Sequence, residues 1–232
     1  MELAEQVFSA MKIKSLSSWN AQVAGLAMHG LADKALACYE RMKKEGLKLD
    51  EMTFVGILSA CSSHAGMVET GKLYFGSMVQ DHKISPKLQH YDCMIDLHSR
   101  ARLFKEADAL MKKMDVKPDG AIWGSLLRAC QVHGNIEFAE HVASNLLEIE
   151  VKNSSNYVML SNIYAKAGRW EDVARIRTRL NDKGMKKEPG CSPIEVDSIV
   201  HELLVGDKTH PRSVCIRNMF LSRQLRVSLS LR

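Results

Sequence analysis

The side chains that could carry chemistry in this chain form a short inventory. Six cysteines (Cys38, Cys61, Cys93, Cys130, Cys191, Cys215) could ligate a metal or supply a thiolate, yet no two stand as Cys-x-x-Cys, the spacing that zinc ribbons and redox thiols need. Six in 232 residues are too sparse for a disulfide-built scaffold and fit a reduced intracellular or organellar compartment. His29 and His133 each precede a glycine, where a helix C-terminus favours partial positive charge, so neither needs a metal to explain it. No Ser/His/Asp arrangement and no phosphate-cradling glycine loop is present. Asn20 and Asp50 offer hydrogen-bonding chemistry instead: one amide with donor and acceptor, one carboxylate. Both types also cap helix N-termini, and residue type alone leaves the two roles open. Lys43, Lys44 and Lys48 read as a solvated face.

Something must position these groups, and composition narrows what. The chain is 46% hydrophobic and 25% charged, which excludes a disordered or collagen-like polymer. No apolar run approaches the ~18 residues of a membrane-spanning helix. The formal charge of +5 hints at a nucleic-acid partner, but four arginines without an acid (Arg217, Arg223, Arg226, Arg232) supply most of it from the last twenty residues.

The organising signal is an internal repeat. Trp19, Phe54, Tyr91, Trp123 and Tyr157 open successive apolar stretches at spacings of 35, 37, 32 and 34. Numbering from three residues before each aromatic gives segments 16–50, 51–87, 88–119, 120–153 and 154–187, with one extra residue placed at Ser62-Ser63. Position 15 then reads Gly30, Gly66, Arg102, Gly134 and Gly168; position 20 reads Ala35, Gly71, Ala107, Ala139 and Val173; position 27 reads Met42, Met78, Met114, Leu146 and Leu180. Cys61 and Cys130 both fall at position 11, which marks them as repeated helix residues and not nucleophiles.

These columns describe a helical hairpin. Trp19, Val23 and Leu26 recur at helical spacing behind a candidate cap, Ser18, and Gly30 can take the positive φ that ends a helix. Ala35, Tyr39 and Met42 line a second helix that Gly46 closes. The small residue at position 20 allows close approach, the large one at position 27 fills the gap beyond, and Arg102 should make its turn less comfortable unless another residue nearby takes the left-handed role. The aromatic and methionine columns read as core packing. One hairpin cannot bury its face alone, so the hairpins must stack into an α-solenoid.

The ends depart from the period. Residues 1–15 read as the second helix of a truncated repeat, with Val7, Phe8 and Met11 covering the end of the stack, as if the chain were part of something longer. Glu2 and Glu5 argue against a transit peptide. Glu188-Pro189-Gly190 punctuates the last hairpin, and Ile194/Val196 alternating with Glu195/Asp197 predict a β-hairpin within 188–212, its first strand kept at an edge by Pro193. Residues 213–232 stay unassigned.

The motifs Ser-Trp-Asn-Ala-Gln-Val-Ala-Gly at 18–25 with Ala-Leu at 35–36 and Arg-Met at 41–42, Leu-Ser-Ala-Cys-Ser at 58–62, and His-Tyr-Asp-Cys-Met-Ile-Asp-Leu at 90–97 resemble plant pentatricopeptide repeat proteins of the mixed-length subclass. Trp-Gly-Ser-Leu-Leu-Arg-Ala-Cys at 123–130 and Asn-Tyr-Val-Met-Leu-Ser-Asn-Ile-Tyr-Ala at 156–165 are similar to its paired E motifs, and Lys-Lys-Glu-Pro-Gly-Cys-Ser at 186–192 to the start of its extended E region. The resemblance implies an all-α, right-handed superhelical solenoid with a short C-terminal β-hairpin. It assigns 16–50, 51–87 and 88–119 as P-, L- and S-type repeats and 120–187 as two E motifs.

It further implies sequence-specific binding of single-stranded RNA in a mitochondrion or chloroplast, for recognition of cytidine-to-uridine editing sites. In this family P- and S-type repeats read one base each through position 5 and the last position, which here are Asn20 with Asp50 and Asp92 with Asp119. An amide can pair with a base's Watson–Crick edge and a carboxylate can hold a bridging water. Asn20 with Asp50 favours uridine in the family; the preference of Asp92 with Asp119 stays open. The L-type repeat presents Val55 and Lys87, and Val55 has no hydrogen bond to offer. Position 2 clamps the base, a role open to Met52 and Gln89, while Ser17 is a poor clamp.

The family's zinc deaminase module needs His-x-Glu and Cys-x-x-Cys, but His201 and Glu202 are adjacent and only Cys191 and Cys215 follow the repeats. The resemblance therefore implies a non-enzyme without cofactor or metal, its deaminase or organellar editing factor recruited in trans through the E region, and no membrane partner. Two read bases contribute about 2–6 kcal/mol, so this chain alone should not single out one transcript site. A protein-docking scaffold and a truncated product with little activity of its own are the competing expectations.

Overall fold

The computed structural model describes residues 2–150, 153–182, 184, 191–196 and 199–204. The Glu188-Pro189-Gly190 break, Lys187 and the tail 213–232 lie outside them. The chain divides into two compact units, 1–185 and 186–232.

The first unit is a stack of helical hairpins. A lone helix α1 (Glu2–Ala10) precedes five pairs: α2 (Leu16–Met28) with α3 (Ala32–Lys44), α4 (Glu51–Ser62) with α5 (Val68–Gln80), α6 (Leu88–Arg100) with α7 (Phe104–Lys112), α8 (Gly120–His133) with α9 (Ile136–Ile149), and α10 (Ser154–Lys166) with α11 (Trp170–Asp182). The first helices pack directly on one another in the order α2, α4, α6, α8, α10, whereas among the described residues the second helices make no comparable contacts with one another. The first-helix layer is therefore the tight one. Buried apolar side chains form three linked clusters along the stack instead of one central core, the signature of an α-solenoid.

The repeat columns explain the packing. Trp19, Phe54, Trp123 and Tyr157 are buried in the interior, as are Met42, Met78 and Leu146. Ala35, Ala107 and Ala139 have no exposed surface, and a Cβ added to Gly71 would lie 2.5 Å from Leu97 Cδ2, so position 20 sits at a close helix contact. Met114 is an exception: α7 stops at Lys112, and Met111 takes the buried place.

Four local expectations change. Helix α2 begins at Leu16, so Ser15 is its N-cap, in extended backbone (ψ 162°) and accepting from the Ser18 amide at 3.2 Å; Ser18 sits inside the first turn. Gly66 does not adopt positive φ, because a 3-10 turn at Ala65–Met67 absorbs the extra residue of that segment. Arg102 itself takes the left-handed conformation (φ 63°), beside Gly30, Gly134 and Gly168 at 69–73°. The turn forms because its amides still bond back, Arg102 N–H to Ser99 O and Leu103 N–H to His98 O, and the Arg102 Nε–H donates to His133 Nδ1 at 3.0 Å. Finally, of the three expected covering residues only Phe8 is buried, edge-on to Trp19 at 4.8 Å; Val7 is 60% exposed and Met11 lies beyond the helix end.

In the second unit, β1 (Cys191–Val196) pairs antiparallel with β2 (Ile199–Leu204), Cys191 opposite Leu204 and Val196 opposite Ile199. With two strands both are edges, which accommodates Pro193 opposite Glu202.

Candidate functional site

The last residue of each of the first four segments is the N-cap of the next first helix: Asp50 for α4, Lys87 for α6, Asp119 for α8, Asn153 for α10. The fifth residue of each segment lies one turn into its own first helix. Since first helices stack side by side, the fifth and last residues of one segment can come together where its first helix packs on the next, as Asn20 with Asp50 and Asp92 with Asp119 do.

At the first junction they form a closed hydrogen-bond ring. Asn20 Nδ2 donates to Asp50 Oδ1 at 2.9 Å, and the Thr53 amide donates to the same oxygen at 2.9 Å. The Thr53 hydroxyl lies 2.8 Å from Asn20 Oδ1, and its oxygen accepts from the Asp50 amide at 3.3 Å, completing a capping box. Asp50 Oδ2 accepts no bond among the described residues. Partial burial pushes the Asp50 carboxyl up, but the hydrogen bonds it accepts from Thr53 and from the Asn20 amide outweigh it and hold the group below its ordinary value.

Beside the ring lies an open groove of ≈ 410 Å³ between α2 and α4, floored by Ala21, Ala24 and Gly56 and flanked by Met52 and Val55. Met52 is 62% exposed. Gly56 matters here because a Cβ would stand 2.9 Å from Val23 Cγ1, so that Val23 or its helix would have to shift.

The second junction is built differently. Val55 brings no polar group, and Lys87 pairs with Glu51. Buried His90, in Thr53's place, accepts the Lys87 amide proton at Nδ1 (2.9 Å), so its other nitrogen carries the proton and donates to Glu51 O at 3.0 Å. At the third junction Asp119 caps α8 through the Ile122 amide at 3.1 Å. Asp92 is half-buried, and burial first, then the charges of Asp96 and Asp119, push its carboxyl up. Asp92 and Asp119 share no hydrogen bond, and their like charges repel. Gln89 is exposed on α6. Among the described residues, no group of three or more His, Cys, Asp and Glu side chains is placed to hold a metal ion.

A family model described as the PPR repeat matches residues 17–47 and 90–117, and one described as the E motif matches 133–195. A chloroplastic pentatricopeptide repeat-containing protein of Arabidopsis thaliana is 56% identical over 213 residues, 92% of this chain and 29% of that protein. The chain belongs to the pentatricopeptide repeat family. A mitochondrial member from Arabidopsis thaliana is 43% identical over 229 residues, 98% of this chain and 34% of that protein. The chain thus spans roughly a third of the length of these pentatricopeptide repeat relatives. Among solved structures, the maize pentatricopeptide repeat protein PPR10 in complex with an 18-nucleotide psaJ RNA element superposes with a TM-score of 0.66 at 17% identity, over 77% of this chain and 27% of that one.

Within this pentatricopeptide repeat solenoid, Asn20 and Asp50 are in direct contact, Met52 lines their groove, and Asp92 and Asp119 are electrostatically coupled without a bond. Trp19 packs into the interior, so the aromatic column offers no exposed stacking platform there. Sequence reasoning missed the third column, where Thr53, His90 and Asn156 are all buried and polar. Asp50-x-x-Thr53 is a capping-box signature legible in the chain. Nothing local, however, shows that Thr53 also reaches back thirty-three residues to Asn20.

Proposed function

We propose that this chain binds single-stranded RNA in a mitochondrion or chloroplast along its first-helix layer, and that it marks cytidines for conversion to uridine by a deaminase supplied in trans. In this reading 16–50, 51–87 and 88–119 are P-, L- and S-type repeats, and 120–187 are E motifs that recruit the deaminase or another editing factor. The observation that supports it is the Asn20–Asp50–Thr53 ring at the edge of an open groove. The ring leaves one Asn20 N–H, one Asn20 carbonyl lone pair and Asp50 Oδ2 unspent, the set that a base edge or a bridging water uses. Met52 supplies an apolar flank for the base face. Asp92 with Asp119, and Gln89 as clamp, form the second reading pair.

The RNA complex of the maize protein and the organelle names of the relatives support the RNA and its compartment. Two read bases give about 2–6 kcal/mol, so binding by the chain alone is expected to be millimolar or weaker at the low end and tens of micromolar at best. The test is a titration of the ¹⁵N-labelled chain with a uridine-rich oligoribonucleotide. Shifts should centre on Asn20, Met52, Val55 and Ser59, weaken steeply with salt, and vanish in Asn20→Ala. Shifts confined to residues 120–204 would instead favour a docking scaffold. The editing step is tested in plants lacking the gene, where one or a few organellar cytidines should remain unconverted.

A further inference from the structure

The Thr53 hydroxyl has one proton and two acceptors in reach, Asn20 Oδ1 at 2.8 Å and Asp50 Oδ1 at 2.9 Å. Asp50 Oδ1 already receives two N–H donors, from Thr53 and from Asn20. Asn20 Oδ1 receives no other donor among the described residues, so the proton belongs there. The result is a ring in which every bond points one way: Asp50 N–H to Thr53 Oγ1, Thr53 O–H to Asn20 Oδ1, Asn20 N–H to Asp50 Oδ1.

This ring settles something that a free asparagine leaves open. A carboxamide that can flip offers donor-then-acceptor or the reverse with equal ease. Along the side of the ring that joins N3 to the exocyclic group at C4, uracil and cytosine demand opposite orders: one presents C=O beside N–H, the other N–H beside a bare ring nitrogen. For a base presented by that side, only an amide held in one sense discriminates between them.

We propose that Thr53 is a specificity-positioning residue, whose hydroxyl locks the Asn20 carboxamide so that the groove accepts a pyrimidine with an imino N–H and rejects one without. Resting on the RNA-binding reading above, the assignment adds a third residue, contributed by the following repeat, to the pair that touches the base. Thr53 has no exposed surface and acts only through Asn20 and Asp50.

The experiment titrates the ¹⁵N-labelled 232-residue chain with hexauridylate and with hexacytidylate, following the Asn20 side-chain amide and backbone signals. The unsubstituted chain should prefer hexauridylate. Thr53→Val, which keeps the shape and removes the proton, should cut the preference about three- to tenfold, chiefly by weakening hexauridylate. Thr53→Ser should retain it. Before any RNA is added, the Asn20 amide protons should exchange with water faster in Thr53→Val than in Thr53→Ser, a readout that a purely structural cap would not move. An unchanged preference in folded Thr53→Val overturns the proposal, as does equal binding of both oligonucleotides by the unsubstituted chain; each leaves RNA binding intact. If Asn20→Ala binds both as well as the unsubstituted chain does, the RNA-site reading itself fails. Should Thr53→Val not fold, loss of preference in Thr53→Ser overturns the proposal and retention supports it.

Discussion

The first and third junctions use the same two repeat positions to opposite electrostatic effect. Asn20 against Asp50 gives an amide and a carboxylate joined at 2.9 Å, with the acid held below its ordinary range. Asp92 against Asp119 gives two acids, no bond between them, and a carboxyl pushed upward by burial, Asp96 and Asp119. The backbone is the same helix-on-helix contact in both; what differs is whether the fifth residue can donate. A donor there ties the junction together and leaves acceptors for a partner. An acceptor there stores repulsion that only a cation, a proton or a hydrogen-bond donor relieves.

The largest effect is expected from Asn20→Asp, which turns the first junction into the third. It removes the donor to Asp50 and sets a like charge against it, and should cost about 1–3 kcal/mol of unfolding free energy at neutral pH. Denaturant titration measures the loss, and the Asp50 carbon resonance should titrate higher than in the unsubstituted chain. If stability is unchanged, the ring is not a stabilising element.

The reverse exchange, Asp92→Asn, should gain roughly 0.5–1 kcal/mol at neutral pH, since half-exposed charges are partly screened. The gain should fade toward acid. Asp92 has a raised folded pKa, so its penalty is full above that pKa, shrinks as pH falls through it and is gone below the unfolded value. Asp50 runs the other way: with its folded pKa lowered, its contribution is full above the unfolded value and is lost as pH falls through the folded one. Stability measured across the acid range should therefore slope in opposite directions for Asp92→Asn and Asn20→Ala relative to the parent. The smallest effect belongs to the second junction, where Val55→Asn introduces an amide opposite Lys87, already paired with Glu51. Its stability should stay within about 0.5 kcal/mol, and a larger change would mean that this position is coupled to its neighbours.

Much of the architecture was legible before any coordinates. The recurrence of Trp19, Phe54, Trp123 and Tyr157 fixes where first helices lie, because a large apolar side chain at constant spacing must meet the same environment each time. Gly71 announced the close approach that Leu97 makes to it. Less legible were the ends of elements. Ser15 and Ser18 are both good caps, and only the backbone angles decide between them. Arg102 reads as a poor turn residue, yet two backbone hydrogen bonds and the His133 ring hold it at φ 63°. Within the candidate site, Asn20 and Asp50 stand out by repeat position, while Thr53 does not.

Composition and period by themselves determine that this chain is a stack of helical hairpins, for a repeated amphipathic pattern has one economical way to bury its apolar face. They also determine which residues stand at positions 5 and last. Only the tertiary structure decides what those residues do to each other. Asn20, Asp50 and Thr53 come within 3 Å because α2 and α4 pack closely over Gly56, and the direction of each hydrogen bond then follows from which group has a proton to give. Chain order carries the inventory; the lateral contact between helices thirty residues apart sets its polarity.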